Sequence, residues 1–494
     1  MRREATSRVP RRDYSLDGEE TRRAIAAGMA DGEWYQAPID PERLGQLTAR
    51  RNGRPAADTL LWLVLLAGTG TAAFFSLGTW WAIPAFAAFG VLYGGSGDSR
   101  WHENGHGTVF AANWANDAVY NLAAFMMLRE PTMWRFQHAR HHSHTSIVGL
   151  DPEVSIKRPP RWREILLNYL LLVNGPLMIW RVLQHSAGYH DAYTRELVPA
   201  SMLRRVAWEA RAFTAILAAV IAAAAATGTI VPLLFVGLPT FYGAWLMWFF
   251  AVTQHAGLRE DVLDHRMSTR TVYINPVLRF LYLNMNYHLE HHMFPTVPYY
   301  NLPALHEEIK QWLPPPKPSL WSAYREIVHA LRQQRADPSY EIDRGWTPPA
   351  EPERGAAGLG VLAALPGEPD GGEIVLGGED LLAPGQFGQV DVGSAHLLLC
   401  RLTGGAYTLT EGVCTHGRTP LAGGRFDGCQ IECPKHNGRF DVTNGAAVRL
   451  PAQRPLAVHA VEVRDGQLVA RLDAASLPAL PARPPRPAGV PSQR

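Results

Sequence analysis

The chain has 494 residues, 47% of them hydrophobic, and a formal net charge of +2, which leaves room for two to four domains and gives no reason to expect nucleic acid as a partner. Its four cysteines all fall between residues 400 and 433, which argues against a secreted disulfide framework and for reduced thiols or a metal site in the cytosol. The Arg-rich start, MRREATSRVPRR, runs on into polar sequence with no apolar h-region, so no signal peptide is expected.

Residues 1–58 are polar and basic, and a basic flank before an apolar run predicts a cytoplasmic N-terminal segment. From Thr59 to Gly97 no Asp, Glu, Lys or Arg occurs, enough for two helices of about 20 residues that turn near Gly78. A second uncharged run, Ala212 to Leu258, breaks at Thr227-Gly228-Thr229 and predicts two more spans, over 208–226 and 230–252. Neither turn is charged, so both are expected to face away from the cytoplasm. The shorter apolar stretches Ala118–Leu128 and Ile165–Trp180 fit interfacial or half-buried helices lying against the bilayer.

Histidines gather between these runs. His102 and His106 stand in HENGHG; His138, His141 and His142 stand in HARHH; His288, His291 and His292 stand in NMNYHLEHHMF. At 19 histidines in 494 residues, about 0.03 H-x-x-H-H matches are expected by chance, against the two present. On a helix the positions i, i+3 and i+4 share a face, which is expected to turn each trio of imidazoles towards one point. With His255, at the end of the fourth span, the set reaches nine. That is too many for one metal and suits two irons of four to five imidazoles each. Asn286 and Asp151 lie close to the boxes and are candidates to hold imidazole tautomers, though for Asp151 a solvated surface position is the expected role.

HENGHG, HARHH and NYHLEHH resemble the three histidine boxes of the membrane fatty acid desaturase and hydroxylase family. More narrowly, REPTMWRFQHARHHSHTSIVGLDPE and the stretch from DHRMS to NLPALHEEIK resemble the desaturase-like oxygenases linked to rhizopine catabolism, over roughly residues 30–335. The resemblance implies a di-iron centre held by His102, His106, His138, His141, His142, His255, His288, His291 and His292. It implies dioxygen as cosubstrate and attack on an unactivated C–H bond, with the centre itself as the catalytic group and no separate acid or base assigned. Desaturation, hydroxylation and, on a carbon bearing oxygen or nitrogen, dealkylation all stay open, as does the choice between an acyl lipid and a small amine or methyl ether.

After the third box, helices are expected near 303–312 and 319–335, followed by Pro/Gly-rich linker composition over 336–371. Residues 372–473 read as a small all-β module, and the Pro/Ala-rich 474–494 as a disordered tail. Within the module, Cys414 and His416 in CTHG and Cys433 and His436 in CPKHNG form C-x-H and C-x-x-H pairs. This is the ligand set of a Rieske [2Fe–2S] centre; a mononuclear zinc site uses the same four residue types. The module resembles the small Rieske ferredoxins of bacterial oxygenase systems. It differs from the respiratory type, which carries a disulfide where Thr419 and Lys435 stand here, and this implies a low potential of about −150 mV. Cys400 and Cys429 are expected to be ordinary buried thiols.

The sequence thus predicts a multidomain protein with a basic segment (1–58), a helical membrane domain of about four spans in two hairpins under a cytoplasmic helical cap (59–312), a helix and linker (313–371), and a Rieske domain (372–473). The linker, about 30–36 Å in span if flexible, would bring a one-electron donor to the centre at high effective concentration. An NAD(P)H-dependent ferredoxin reductase is expected as a separate partner. The expected setting is the plasma (inner) membrane, with N-terminus, active site and Rieske domain on the cytoplasmic side. A membrane-anchored Rieske electron carrier without catalysis is the competing reading.

Overall fold

The computed structural model describes residues 12–347 apart from 31 and 33, residues 361–365, and residues 372–472 apart from 394, 417–418, 435–437 and 450–451. The expected tail 474–494 and the ligand candidate His436 lie outside these residues. The chain divides into two compact units, Met1–Ile39 with Gln46–Pro349, and Asp40–Gly45 with Ala350–Arg494.

The first unit is helical. Gly53–Phe75 and Ala200–Thr227 are long and apolar enough to cross a membrane. Their outward faces are apolar, and at the first turn Phe75, Trp80 and Trp81 are 80%, 86% and 75% exposed. Apolar surface on this scale suits a membrane-facing region, with tryptophans suited to its boundary. Both return legs are interrupted. The first passes from Ala82–Gly90 through a π-helical turn, Val91–Gly95, into Ser96–His106. The second is assembled from Val231–Phe235, Pro239–Tyr242 and Ala244–His255.

The two return legs meet on glycine. A Cβ added to Gly243 would stand 2.0 Å from the Gly90 carbonyl oxygen, and one added to Gly94 would stand 2.8 Å from that of Pro239. Close backbone approach of this kind is how helices associate in lipid. Gly243→Ala is therefore expected to cost about 1–3 kcal/mol through overpacking, read as a lower midpoint of thermal unfolding in detergent. An unchanged midpoint would show that the legs part freely.

The stretch expected to lie flat, Ile165–Trp180, is bent instead. Trp162–Leu170 and Asn174–Ser186 meet at 64°, and together they are apolar enough to count as a broken span or re-entrant loop. Gly175 at the bend seats Phe241, whose ring would stand 2.4 Å from an added Cβ.

Two stretches depart from the expected domain limits. The N-terminal segment is a strap over the histidine region. Thr21 Oγ1 donates to the Gly149 carbonyl at 3.0 Å, Trp34 Nε1 to that of Ser143 at 3.0 Å, and Tyr35 N to that of Leu263 at 3.1 Å. At the other end, Leu320–Ala336 belongs to the helical core, where Ile327 and Leu331 pack with Trp248, Val252 and Ala256. The chain beyond it stays attached, since Arg344 Nη1 donates to the carbonyls of Arg266 and Thr269 at 2.9 and 3.2 Å. Strand Val361–Leu365 already lies in the β unit. Residues 336–347, expected as linker, are thus held on the helical unit, because residues of linker composition are equally at home in turns packed against a surface.

The second unit has strands β1 (Val361–Leu365), β2 (Glu373–Gly378), β3 (Phe387–Val392), β4 (Ala395–Arg401), β5 (Tyr407–Glu411), β6 (Arg425–Phe426), β7 (Gln430–Glu432), β8 (Arg439–Asp441), β9 (Ala447–Arg449), β10 (Val458–Arg464) and β11 (Gln467–Arg471). They form a seven-stranded sheet in the order β1-β3-β4-β5-β10-β11-β2 and a four-stranded sheet in the order β6-β7-β8-β9. The all-β expectation for this module holds.

Candidate metal centres

Each histidine box sits where a helix ends or is short. His102 and His106 close Ser96–His106, which Gly107 terminates at φ +68°, a left-handed conformation that glycine adopts without penalty. His138, His141 and His142 occupy the last turns of Pro131–Ser143, His255 is the last residue of Ala244–His255, and His288–Met293 is little more than one turn.

All nine imidazoles come together, but in two groups. His102, His106, His138, His142 and His291 form one; His141, His255, His288 and His292 form the other, with ligand atoms within 4.8 Å of one another in each. The expectation that each H-x-x-H-H trio meets at one point is corrected here, because both trios are divided. The reason is helical geometry. At about 100° per residue, i and i+4 differ by about 40°, whereas i+3 and i+4 differ by about 100°. His138 with His142, and His288 with His292, are the i, i+4 pairs; His141 and His291 turn to the other group.

Within each group the Nε2 atoms converge. His102 and His291 approach to 2.8 Å, His106 and His138 to 3.1 Å, and His138 and His142 to 3.2 Å. In the other group His288 lies 3.1 Å from His255 and 3.0 Å from His292. The outward nitrogens fix the tautomers. His255 Nδ1 faces the Ser268 carbonyl at 2.9 Å, which only accepts, so His255 carries its proton there. His141 Nδ1 donates to Asp151 at 2.9 Å and His138 Nδ1 to Glu153 at 3.1 Å. Thr145 Oγ1 gives its proton to the His141 carbonyl at 2.9 Å and so accepts from His292 Nδ1 at 3.1 Å.

The inward Nε2 atoms of His138, His255 and His292 are consequently lone pairs that face other imidazoles. Facing lone pairs repel unless a cation lies between them, and neutral imidazole is the form that binds a transition metal. Burial first, and then the neighbouring imidazoles, hold His142, His288 and His292 well below the usual histidine range. His141 is the exception: burial works against its charge, but Asp151 outweighs it and raises the imidazole. The donor set and its protonation therefore fit two metal ions, five imidazoles to one and four to the other.

Asp151 is only 3% exposed and accepts from His141, which corrects the expected solvated position: the loop after the second box folds its carboxylate back onto the imidazole. Asn286 touches no imidazole in this way; its Nδ2 donates to the Val272 carbonyl at 2.9 Å and ties down the chain before the third box. Sequence reasoning passed over Glu153, Ser268 and Thr145. Glu153 follows the second box in the run GLDPE, two residues beyond Asp151, and that spacing could have signalled it; the Ser268 carbonyl carried no signal, since every residue has one. Glu103 is also fully buried, 3.4 Å from His291 Nδ1. Asp151→Asn is expected to weaken metal binding about 10- to 100-fold, measured by competition with a chelator. Wild-type retention would show that Asp151 only braces the loop.

In the β unit, Cys414 and Cys433 are buried in one apolar cluster with Leu398, Leu421, Ile431 and Phe440. Each opens a loop closed at its base by the backbone, with Cys414 N donating to the Thr419 carbonyl at 2.9 Å and Cys433 N to that of Gly438 at 2.8 Å. His416 is exposed. The Pro-containing third loop meets the first, since Thr415 Oγ1 donates to the Arg454 carbonyl at 2.7 Å. Cys400 is buried as expected; Cys429 is exposed, a correction, because it sits in the turn between β6 and β7 where no sheet covers it.

Comparison with known proteins follows the same division. Residues 78–324 match the fatty acid desaturase family and residues 373–462 the Rieske [2Fe-2S] domain. Ferredoxin CarAc of Metapseudomonas resinovorans is 41% identical over 88 residues, which are 18% of this chain and 81% of that protein. The probable fatty acid desaturase DES1 of Sorghum bicolor is 28% identical over 265 residues, 48% of this chain and 65% of that one. Among solved structures, the complex of reduced oxygenase and oxidised ferredoxin in carbazole 1,9a-dioxygenase has a chain 36% identical, covering 20% of this chain and 92% of that chain at a TM-score of 0.19. With one family spanning half of its length and the other its β unit, the chain belongs to the fatty acid desaturase family and carries a C-terminal Rieske [2Fe-2S] domain.

Proposed function

We propose that this protein is a membrane-bound di-iron oxidoreductase that uses dioxygen to oxidise an unactivated C–H bond, as a desaturase or hydroxylase, with its own Rieske domain as electron donor. The observation that carries this reading is the two buried imidazole groups whose inward lone pairs are fixed from behind. Two irons bound there would supply one-electron storage and the activation of dioxygen.

The chain's own residues do the rest. The five- and four-histidine groups would hold the metals; Asp151 and Glu153 orient two of those imidazoles and offset buried positive charge; the strap over residues 143–149 and 263 limits access of water. In the Rieske domain, Cys414, Cys433, His416 and His436 would hold the cluster. The basic N-terminal segment and the uncharged hairpin turns support a plasma (inner) membrane setting with the histidine groups, the N-terminus and the Rieske domain on the cytoplasmic side. A separate NAD(P)H-dependent ferredoxin reductase would reload the cluster.

A second reading of the substrate rests on the resemblance of the flanks of the second and third boxes to the rhizopine-type oxygenases, and takes a small amine or methyl ether, oxidised by hydroxylation or demethylation, in place of an acyl chain. Turnover of candidate pools with dioxygen and reductase separates these outcomes by product mass. Loss of two hydrogens means desaturation, gain of one oxygen means hydroxylation, and loss of a methyl group means demethylation. No dioxygen-dependent product from any pool would count against the enzyme reading.

A further inference from the structure

One histidine outside the nine stands in line with them. His265 is buried, its ring stacked on Trp34 with centroids 4.2 Å apart and planes 13° from parallel. On its other side, His265 lies 5.2 Å from His292, centroid to centroid, at 44°. His292 is a member of the four-histidine group, 3.0 Å from His288 through Nε2. Trp34 is half-buried at the surface. Three rings thus run in series from the protein surface to the four-histidine group.

The series is held firmly. The Trp34 indole donates to the Ser143 carbonyl at 3.0 Å, the next residue of the strap donates to Leu263, and Asp264 caps the short helix His265–Ser268 by accepting from Arg266 N at 2.9 Å. None of the proposed metal-binding or imidazole-orienting roles uses Trp34 or His265. Parallel aromatic faces at this spacing are in van der Waals contact, and overlapping π systems carry a tunnelling electron better than a gap across saturated side chains.

The geometry points to Trp34 and His265 as the electron-entry path into the four-histidine group. The inference rests on the di-iron reading above and assigns the rings to electron delivery. Each passage removes one electron from the reduced [2Fe–2S] cluster and adds one to the histidine-held centre. Two passages, with two protons and one dioxygen, balance either hydroxylation with one water formed or desaturation with two.

The test uses the full iron-loaded chain, its cluster reduced anaerobically by NADH through a ferredoxin reductase. Rapid mixing with dioxygen then follows the visible absorbance and EPR signal of the cluster as it is reoxidised, and a His288→Ala chain supplies the background of direct autoxidation. Trp34→Leu and His265→Leu are each expected to slow reoxidation about tenfold or more, equivalent to about 1.4 kcal/mol, with iron content and Mössbauer spectra unchanged. His265→Phe, which keeps a ring, is expected to restore the rate. Should His265→Leu lose iron, Trp34→Leu at the surface carries the test alone. Wild-type rates in the Leu variants overturn the path, as does slowing that a ring at 265 fails to recover. Slowing confined to Arg344→Ala would overturn it too, in favour of the hydrogen-bonded route through Thr269 and Ser268 to His255. Wild-type protein with no iron beyond the cluster would instead remove the di-iron reading itself.

Discussion

Replacement of His288 by alanine is expected to abolish dioxygen-dependent turnover and to lower iron from about four per chain towards the two of the Rieske cluster. His288 is the centre of its group, with Nε2 3.1 Å from His255 and 3.0 Å from His292. Its removal leaves three imidazoles and a buried space where the fourth stood. The loss in affinity should exceed the roughly 10- to 100-fold that accompanies loss of an outer hydrogen-bonding partner, so Asp151→Asn and His288→Ala should form a graded pair. Iron analysis and Mössbauer spectroscopy read both. A His288→Ala protein with four irons and full turnover would end the di-iron assignment.

Cys433→Ser is expected to give the complementary result. The visible spectrum of the cluster disappears, about two irons remain, and NAD(P)H-driven turnover falls to background although the histidine groups are intact. Cys433 is fully buried, at the base of a loop closed on Gly438, so the substitution acts on the cluster site and on its immediate apolar surroundings. Circular dichroism of the β structure checks that the domain is still folded. A wild-type protein holding only two irons, both lost in this variant, would make the chain a membrane-anchored electron carrier and no oxygenase.

Much of this architecture is legible in the residues, and what is not has identifiable causes. The uncharged runs and the clustered histidines betray spans and metal chemistry because lipid and metals each select strongly by residue type. How the nine histidines divide depends on helix phase and on which helices face each other, and the motif spacing alone suggested that each trio converged. The interrupted return legs were hidden because hydropathy sums residues without regard to backbone breaks at Gly237 and Gly243. Glu153 and Thr145 look like ordinary polar residues until the imidazoles they orient are in place. The strap was hidden most thoroughly, since polar, Arg-rich sequence reads as solvated surface until Arg12 is found against Glu260 at 2.9 Å and Trp34 over His265.

That strap has a consequence for how the protein is made. Arg12 meets a residue 248 positions later, and Gln36 reaches the Met293 carbonyl 257 positions on. Ribosomes add roughly 5–20 residues per second, so this segment waits on the order of ten seconds or more for these partners. Contacts this distant in sequence also form slowly, because loop closure must come first. The contacts to Ser143 and Gly149 need only the first 149 residues, but the last one, Gln36 with Met293, can form only after the third box has been made, so the cover is completed no earlier than the histidine groups it covers.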